Sequence, residues 1–227
     1  MMAETEKASR MVTVWDGATR LFHWGLLTCL IGAWWTAETE EFEQHLLFGY
    51  GALGLILFRL AWGLVGSETS RFSSFIRNPM VAVEHVRSLL RPGPAEVHVG
   101  HNPLGAWAVV ALLLLVTVQV TTGLFLSGGD IFVVEAPLNH LVSSRTADLL
   151  ETIHEVNFTL LQITVVVHVS AIVFYAVVKR RDLIEPMLTG WVDLPGDVPA
   201  PRIASPWRAL LVAAAAAALV WVLAGLA

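Results

Sequence analysis

Five long apolar segments constrain this chain more than any other feature of its sequence. A helix needs about 20 apolar residues to cross the hydrocarbon of a bilayer. Of the 227 residues, 56% are hydrophobic and only 15% are charged, which is too apolar for an ordinary soluble domain. We therefore expect an all-α integral membrane protein, a four-helix bundle followed by a fifth, C-terminal transmembrane helix. The predicted spans are residues 21–37, 46–66, 104–126, 150–178 and 209–226.

The segments outside the spans are short and mostly polar. Residues 1–20 are of mixed charge, and no small-residue cleavage site follows the first apolar run, so that run is predicted to stay as a span. The single cysteine, Cys29, excludes a disulfide framework and the two-cysteine attachment of a c-type haem; it is interpreted as a small apolar filler. Residues 79–91 predict an amphipathic helix on the membrane surface. Residues 182–207 predict a proline-rich linker.

The distribution of basic residues predicts the orientation. With the N-terminus inside, 13 of the 14 Lys and Arg residues lie on the inner side and only Arg145 lies outside. One base and nine acids give the outer side a net charge of −8, and 13 bases and ten acids give the inner side +3. This predicts a multi-pass protein of a bacterial inner membrane, with a cytoplasmic N-terminus and a periplasmic C-terminus. The acidic outer face should attract basic partners and repel anions.

Four histidines in or beside the spans are the main candidates for function. His154 and His168 are 14 residues apart, about 40° short of four helical turns and about 21 Å in rise, so they share one helix face at two depths. Alternating spans bring His45 towards His154 near the outer surface and His23 towards His168 on the inner side. Ionisable residues inside spans are functional by default. Two facing imidazole pairs predict two bis-histidine haems.

The depths of the inner pair do not agree at first sight. Counted from the flanking basic residues, His23 and His168 differ in depth by roughly 12 Å. We therefore expect the fourth helix to extend past the membrane, or the first helix to tilt. Otherwise His101, just before Pro103, takes part in the inner site.

Other residues are candidates for contacts with the haems. Gly49, Gly51 and Gly54 leave room for a flat macrocycle or, equally, for close helix packing. Arg59 lies 14 residues after His45 and either pairs with a haem propionate or extends to the inner interface. His101 is a propionate candidate or a plain loop residue. The remaining histidines are predicted to be solvated: His85, His98 and His140.

The four histidines also allow three alternatives to haem. Tetrahedral zinc needs three or four ligands at one depth, whereas these histidines come in twos about 21 Å apart. A proton relay usually includes buried carboxylates, and none lies deep in the predicted spans. If the histidines only pack against neighbouring side chains, the chain would be a structural membrane anchor.

Several motifs together resemble the bacterial cytochrome b561 family, which includes the b-type cytochrome subunits of nickel–iron hydrogenases. In family order they are "VWDGATRLFHW", "HLLFGYGALGLILFRLAWGLVGS", "RFSSFIRNP", "GHNPLGAW" and "LLETIHEVNFTLLQITVVVHVSA". The resemblance implies a di-haem domain over residues 1–190, with residues 191–227 as a linker and an added helix. It implies two b haems bound by His23, His45, His154 and His168.

The resemblance also implies electron transfer. Family members pass electrons between a membrane quinone and a partner at the outer surface, which on an acidic face suggests a basic redox protein such as a c-type cytochrome. A stand-alone quinone reductase that oxidises superoxide is an alternative, although the outer charge would repel that anion unless Arg145 and His140 form a basic funnel. A non-redox membrane anchor is the third hypothesis. Membrane lipid is an expected partner and nucleic acid is not.

Overall fold

The computed structural model describes residues 9–89, 91, 98–127 and 135–225, and these are mostly helical. Lys7 and Asp130, which contribute to the predicted charge asymmetry, lie outside the described residues. In chain order the elements are β1 (Ser9–Thr13), α1 (Gly17–Glu38), α2 (Phe42–Val65), α3 (Phe72–Phe75), α4 (Pro79–Leu89), α5 (Pro103–Gly123), α6 (Ser144–Val177), α7 (Ile184–Thr189), β2 (Trp191–Pro195) and α8 (Pro206–Ala224).

Four of the described helices, α2, α5, α6 and α8, are long and apolar enough to cross a membrane. They correspond to four of the five predicted spans. The helix at the first predicted span, α1, has 22 residues but is not among these four. Its crossing of the membrane therefore stays a prediction. "Inner" and "outer" denote below the two ends that the charge distribution predicts to be cytoplasmic and periplasmic.

Helix α2 is the centre of the bundle. It packs against α1, α5 and α8, while α6 packs on α5. The shared core is apolar and includes Ile56 and Trp62 of α2, Val116 of α5 and Leu161 of α6. Burying such side chains is worth about 1.5–3 kcal/mol each in water, but in a lipid environment close packing has to replace that driving force.

Three helices begin at residues that cap their free N–H groups. The side chains of Asp16, Asn102 and Ser143 accept hydrogen bonds from the backbone N–H three residues further on, at the starts of α1, α5 and α6. Such caps contribute about 1 kcal/mol each. Pro103 occupies the first turn of α5, where its missing N–H costs nothing.

A small antiparallel sheet closes the inner end, and the sequence analysis missed it. Strand β1 pairs with β2, from Ser9 opposite Pro195 to Thr13 opposite Trp191. Gly190 precedes β2 with φ of 89°, a conformation that favours glycine. Residues 182–207 are therefore more than a linker. The described residues are otherwise mostly helical, as predicted, and this pairing was not foreseen because it joins segments far apart in sequence, which no local pattern reveals.

The short surface helix agrees with its prediction. Helix α4 covers Pro79–Leu89 and packs against α5. The predicted amphipathic helix at residues 79–91 is therefore confirmed as a helix. Its buried positions include His85.

Candidate haem sites facing α6

The outer histidine pair faces across the space between two helices. His45, in the first turn of α2, and His154, on α6, have ring centroids 6.5 Å apart, with the ring planes inclined at 67°. Two imidazoles that share one metal ion through bonds of about 2 Å have centroids roughly 6 Å apart. The separation therefore fits one iron between the rings, as the sequence predicts for a bis-histidine haem.

Hydrogen bonds fix the orientation of both rings. Nδ1 of His45 lies 2.8 Å from the backbone O of Ala33, and Nδ1 of His154 lies 3.0 Å from Oγ1 of Thr122. Oγ1 of Thr122 lies 2.9 Å from the backbone O of Val118. Metal-binding histidines usually bond through one nitrogen while a hydrogen bond holds the other. With Nδ1 engaged on each ring, Nε2 is the atom left for a metal.

Polar residues on α5 support the position of His154. A Cβ at Gly123 would lie 3.2 Å from Cε1 of His154, so the glycine lets the ring lie close to α5. One turn further along α6, Nδ2 of Asn157 donates to Oε1 of Gln119 at 2.6 Å and to the backbone O of Leu115 at 2.9 Å. These bonds fix the register of α6 on α5. The sequence carries one indication of these bonds, because Gln119 and Asn157 are amides inside apolar spans.

The inner pair comprises His23 of α1 and His168 of α6. Nδ1 of His23 is buried without a hydrogen-bond partner, so this ring is not tied into the protein's own network. Helix α6 has 34 residues and is long enough to present both histidines on one face. The long α6 is in line with the expectation that the fourth helix extends past the membrane.

Helix packing leaves α6 apart from the helices that carry the other two histidines. Helix α1 packs along α2, and α6 packs along α5, but no packing of comparable extent joins α6 to α1 or α2. The two histidine pairs thus lie where the helices do not close on each other. A porphyrin is apolar and flat and fits between helices in such a place. Within the described part of the chain, no group of three or more His, Cys, Asp or Glu side chains is placed to hold a metal ion.

The three glycines of α2 have different surroundings. A Cβ at Gly49 would meet nothing within 4 Å. At Gly51 it would lie 2.9 Å from Sγ of Cys29, and at Gly54 it would lie 3.6 Å from Val220 of α8. Gly51 therefore allows close packing with α1, Gly54 lies at an ordinary contact distance from α8, and Gly49 leaves open space. Cys29 is partly buried in that contact.

Arg59 is buried at the inner end of the bundle. Its residue is 3% exposed, and its guanidinium carbon lies 4.9 Å from the ring centroid of Phe72 and 6.0 Å from that of Phe22. Nη1 is buried without a hydrogen-bond partner. Arg59 therefore does not extend to the inner interface, and its unpaired donor fits an anionic group such as a haem propionate.

His101 lies close to this cluster, in aromatic surroundings. Its ring centroid is 4.7 Å from that of Trp15 and 4.5 Å from that of Phe75. Burial, and next the charge of Arg59, lower the pKa of His101 to about 3, against the opposing effect of a hydrogen bond with the backbone of Thr69. The ring is thus neutral at pH 7, and its buried Nδ1 has no hydrogen-bond partner. A neutral imidazole that donates through one nitrogen has an acceptor at the other, and an acceptor cannot bond to a propionate oxygen. Arg59 has only donors and therefore suits a propionate better than His101 does.

Asp16 is a buried carboxylate that the sequence analysis did not single out. It is 5% exposed and accepts from the backbone N–H of Thr19 at 2.7 Å, Oγ1 of Thr19 at 3.0 Å, Oγ of Ser70 at 3.2 Å and Nε1 of Trp62 at 3.4 Å. Its negative charge also acts on the buried cation of Arg59. The sequence offered one indication, an Asp three residues before a Thr at the start of a predicted helix.

The prediction that His85 is solvated is wrong. His85 is 6% exposed, and its Nε2 lies 2.9 Å from the hydroxyl of Tyr175 near the end of α6. Asn102 also donates to that hydroxyl at 3.0 Å, and the ring of His98 stands 5.3 Å from that of His85. His98 is therefore not simply solvated either. Both were misjudged because α4 folds back onto α5 and α6. His140 is exposed, as predicted.

The comparison with known protein families found one match. Residues 14–190 match the family model described as prokaryotic cytochrome b561. No curated protein and no solved structure matches the chain. The matched region contains all four histidines of the two pairs, and it ends before β2 and α8.

Proposed function

We propose that this chain, which belongs to the prokaryotic cytochrome b561 family, carries electrons through two b haems between the quinone pool and a redox protein at its outer face. Family membership makes it a membrane b-type cytochrome of electron transport. One observation carries the finer proposal: two imidazoles on different helices face each other with centroids 6.5 Å apart.

The proposed ligands form two levels along α6. His45 and His154 would hold the outer haem, and His23 and His168 the inner one, with Arg59 placed for a propionate. A bound haem supplies one-electron chemistry at its iron. The chain fixes the ring orientations through Ala33 and Thr122 and separates the two levels by about 21 Å along α6.

The charge distribution suggests where the partner binds. An acidic outer face would attract a basic protein such as a c-type cytochrome, in a bacterial inner membrane with the N-terminus in the cytoplasm and the C-terminus in the periplasm. Residues 1–190 would form the di-haem domain, and residues 191–227 a C-terminal extension. The extension contacts the domain, because β2 pairs with β1.

Electron transfer in reconstituted vesicles tests this proposal. The protein is placed in vesicles that contain a quinol, and an oxidised, basic c-type cytochrome is added outside. We expect its reduction to need the protein and to slow as salt rises, because the Debye length falls from about 10 Å at 0.1 M to about 3 Å at 1 M. As a control, His140→Ala changes an exposed histidine outside the proposed pairs and should leave the rate of cytochrome reduction unchanged.

Two results would contradict the proposal. If quinol leaves the visible spectrum of the protein unchanged, no haem accepts electrons from the quinone pool. If the protein instead consumes superoxide with quinone and does not reduce the added cytochrome, the stand-alone enzyme is the better description.

A further inference from the structure

Helix α6 makes few close contacts with the rest of the bundle. Of its 34 residues, all of which the structure describes, only Ala147, Asn157, Leu161 and Tyr175 are buried. In a membrane, apolar side chains contact lipid as favourably as they contact one another, so apolar packing alone fixes the position of a helix only weakly. Polar contacts between helices therefore matter more for where α6 lies along α5.

The first polar contact lies on the outer half of α6. Nδ2 of Asn157 donates to Oε1 of Gln119 at 2.6 Å and to the backbone O of Leu115 at 2.9 Å. Asn157 is 6% exposed and Gln119 is 9% exposed, so water does not compete for these bonds. Asn157 follows His154 by three residues, a rise of about 4.5 Å. This contact therefore holds α6 directly beside the outer histidine pair.

The second polar contact lies at the inner end of α6. Tyr175 is 4% exposed, and its hydroxyl accepts from Nδ2 of Asn102, the residue that caps α5, at 3.0 Å. The same hydroxyl lies 2.9 Å from Nε2 of His85 on α4, to which it can donate its proton. Tyr175 follows His168 by seven residues, about 20° short of two turns and about 10.5 Å in rise. This contact is therefore the nearer one to the inner pair.

The two contacts hold α6 at points about 27 Å apart along its axis. We propose that Asn157 and Tyr175 are positioning residues, Asn157 for the outer haem and Tyr175 for the inner one. Loss of one contact frees one end of α6, while the other contact still holds the opposite end. The proposal rests on the proposed function, because it takes the two histidine pairs as haem ligands. Each residue acts through the helix that carries His154 and His168.

Removing the contacts one at a time tests the proposal. Asn157→Leu replaces the amide by an apolar side chain of similar size, and Tyr175→Phe removes only the hydroxyl. Groups that hold metal ligands typically contribute 10–100-fold to binding. We therefore expect Asn157→Leu to speed the loss of the outer haem to excess apomyoglobin about tenfold or more. Tyr175→Phe should speed the loss of the inner haem by a similar factor, and each variant should leave the other haem unchanged.

Electron paramagnetic resonance of the ferric protein gives a second readout, because the g values of a low-spin haem depend on how its two imidazoles are oriented. The line that is absent from His154→Ala belongs to the outer haem. That line should shift in Asn157→Leu, and the other line should shift in Tyr175→Phe. Thr152→Val is the matched control, since it removes an exposed hydroxyl that bonds within α6 to the backbone O of Asp148. Both lines should keep their positions in it.

The outcomes separate this proposal from the proposed function. Gln119→Leu removes the first contact from the side of α5 and replaces Asn157→Leu if that variant does not fold. Both haems held normally, with unshifted lines, in Asn157→Leu and Tyr175→Phe would overturn the proposal. Equal changes of both haems in each variant would also overturn it, because they would mean a general loss of stability. Neither readout needs quinone or a partner protein, so the proposal can fail while electron transfer is normal. An unchanged protein without haem would contradict both.

Discussion

Replacing His154 by alanine should lower the haem content of the purified protein from two to one per chain. His154 faces His45 at a centroid distance of 6.5 Å and is held by Thr122. Without its imidazole the proposed outer haem would keep only one of its two histidines, whereas the proposed inner pair, about 21 Å away along α6, would keep both. The pyridine haemochrome spectrum, divided by the protein concentration, measures this change.

Two further variants sharpen that experiment. His140→Ala removes an exposed histidine and should leave two haems. Thr122→Val removes only the hydrogen bond to His154 and should weaken outer haem binding about 10–100-fold, as is typical for groups that hold a metal ligand. Retention of both haems in a folded His154→Ala protein would disprove the outer pairing.

Replacing Asp16 by alanine should lower the free energy of unfolding by about 3 kcal/mol or more, because each buried donor left without an acceptor costs about 1–3 kcal/mol. Asp16 caps α1, accepts hydrogen bonds from Ser70 and Trp62, and acts electrostatically on the buried Arg59. Its removal leaves that cation without the compensating charge. Denaturant titration of the protein in detergent micelles, followed by circular dichroism, measures the difference.

A double variant separates the charge from the cap. Arg59→Met in the Asp16→Ala background removes the uncompensated cation and should restore part of the loss. Asp16→Asn, which keeps the shape and one acceptor oxygen, should be milder than Asp16→Ala. A loss of no more than about 1 kcal/mol in Asp16→Ala would mean that Asp16 acts only as a helix cap.

Most of the helical architecture could be predicted from the sequence because apolar length is a local property. Four predicted spans are helices of the required length and apolarity. The position of His45 opposite His154 could also be predicted, since alternating spans place both residues near the outer surface. Axial ligation of haem by these residues remains a prediction.

Tertiary contacts account for what the sequence analysis missed. The pairing of β1 with β2 joins residues about 180 apart in sequence, and proline near β2 suggested only a linker. His85 was misjudged because its partner, Tyr175, lies on a distant helix. From the sequence Gly51 could serve as room for haem or as a packing contact, and only the position of Cys29 shows that it packs closely against α1.

Electron paramagnetic resonance of the oxidised, purified protein, combined with its haem count, tests the pairing of histidines most directly. The account predicts two haems per chain, each a low-spin ferric centre, because two imidazoles would bind each iron. A protein without haem would contradict it. So would a high-spin ferric signal from an iron that lacks its second histidine.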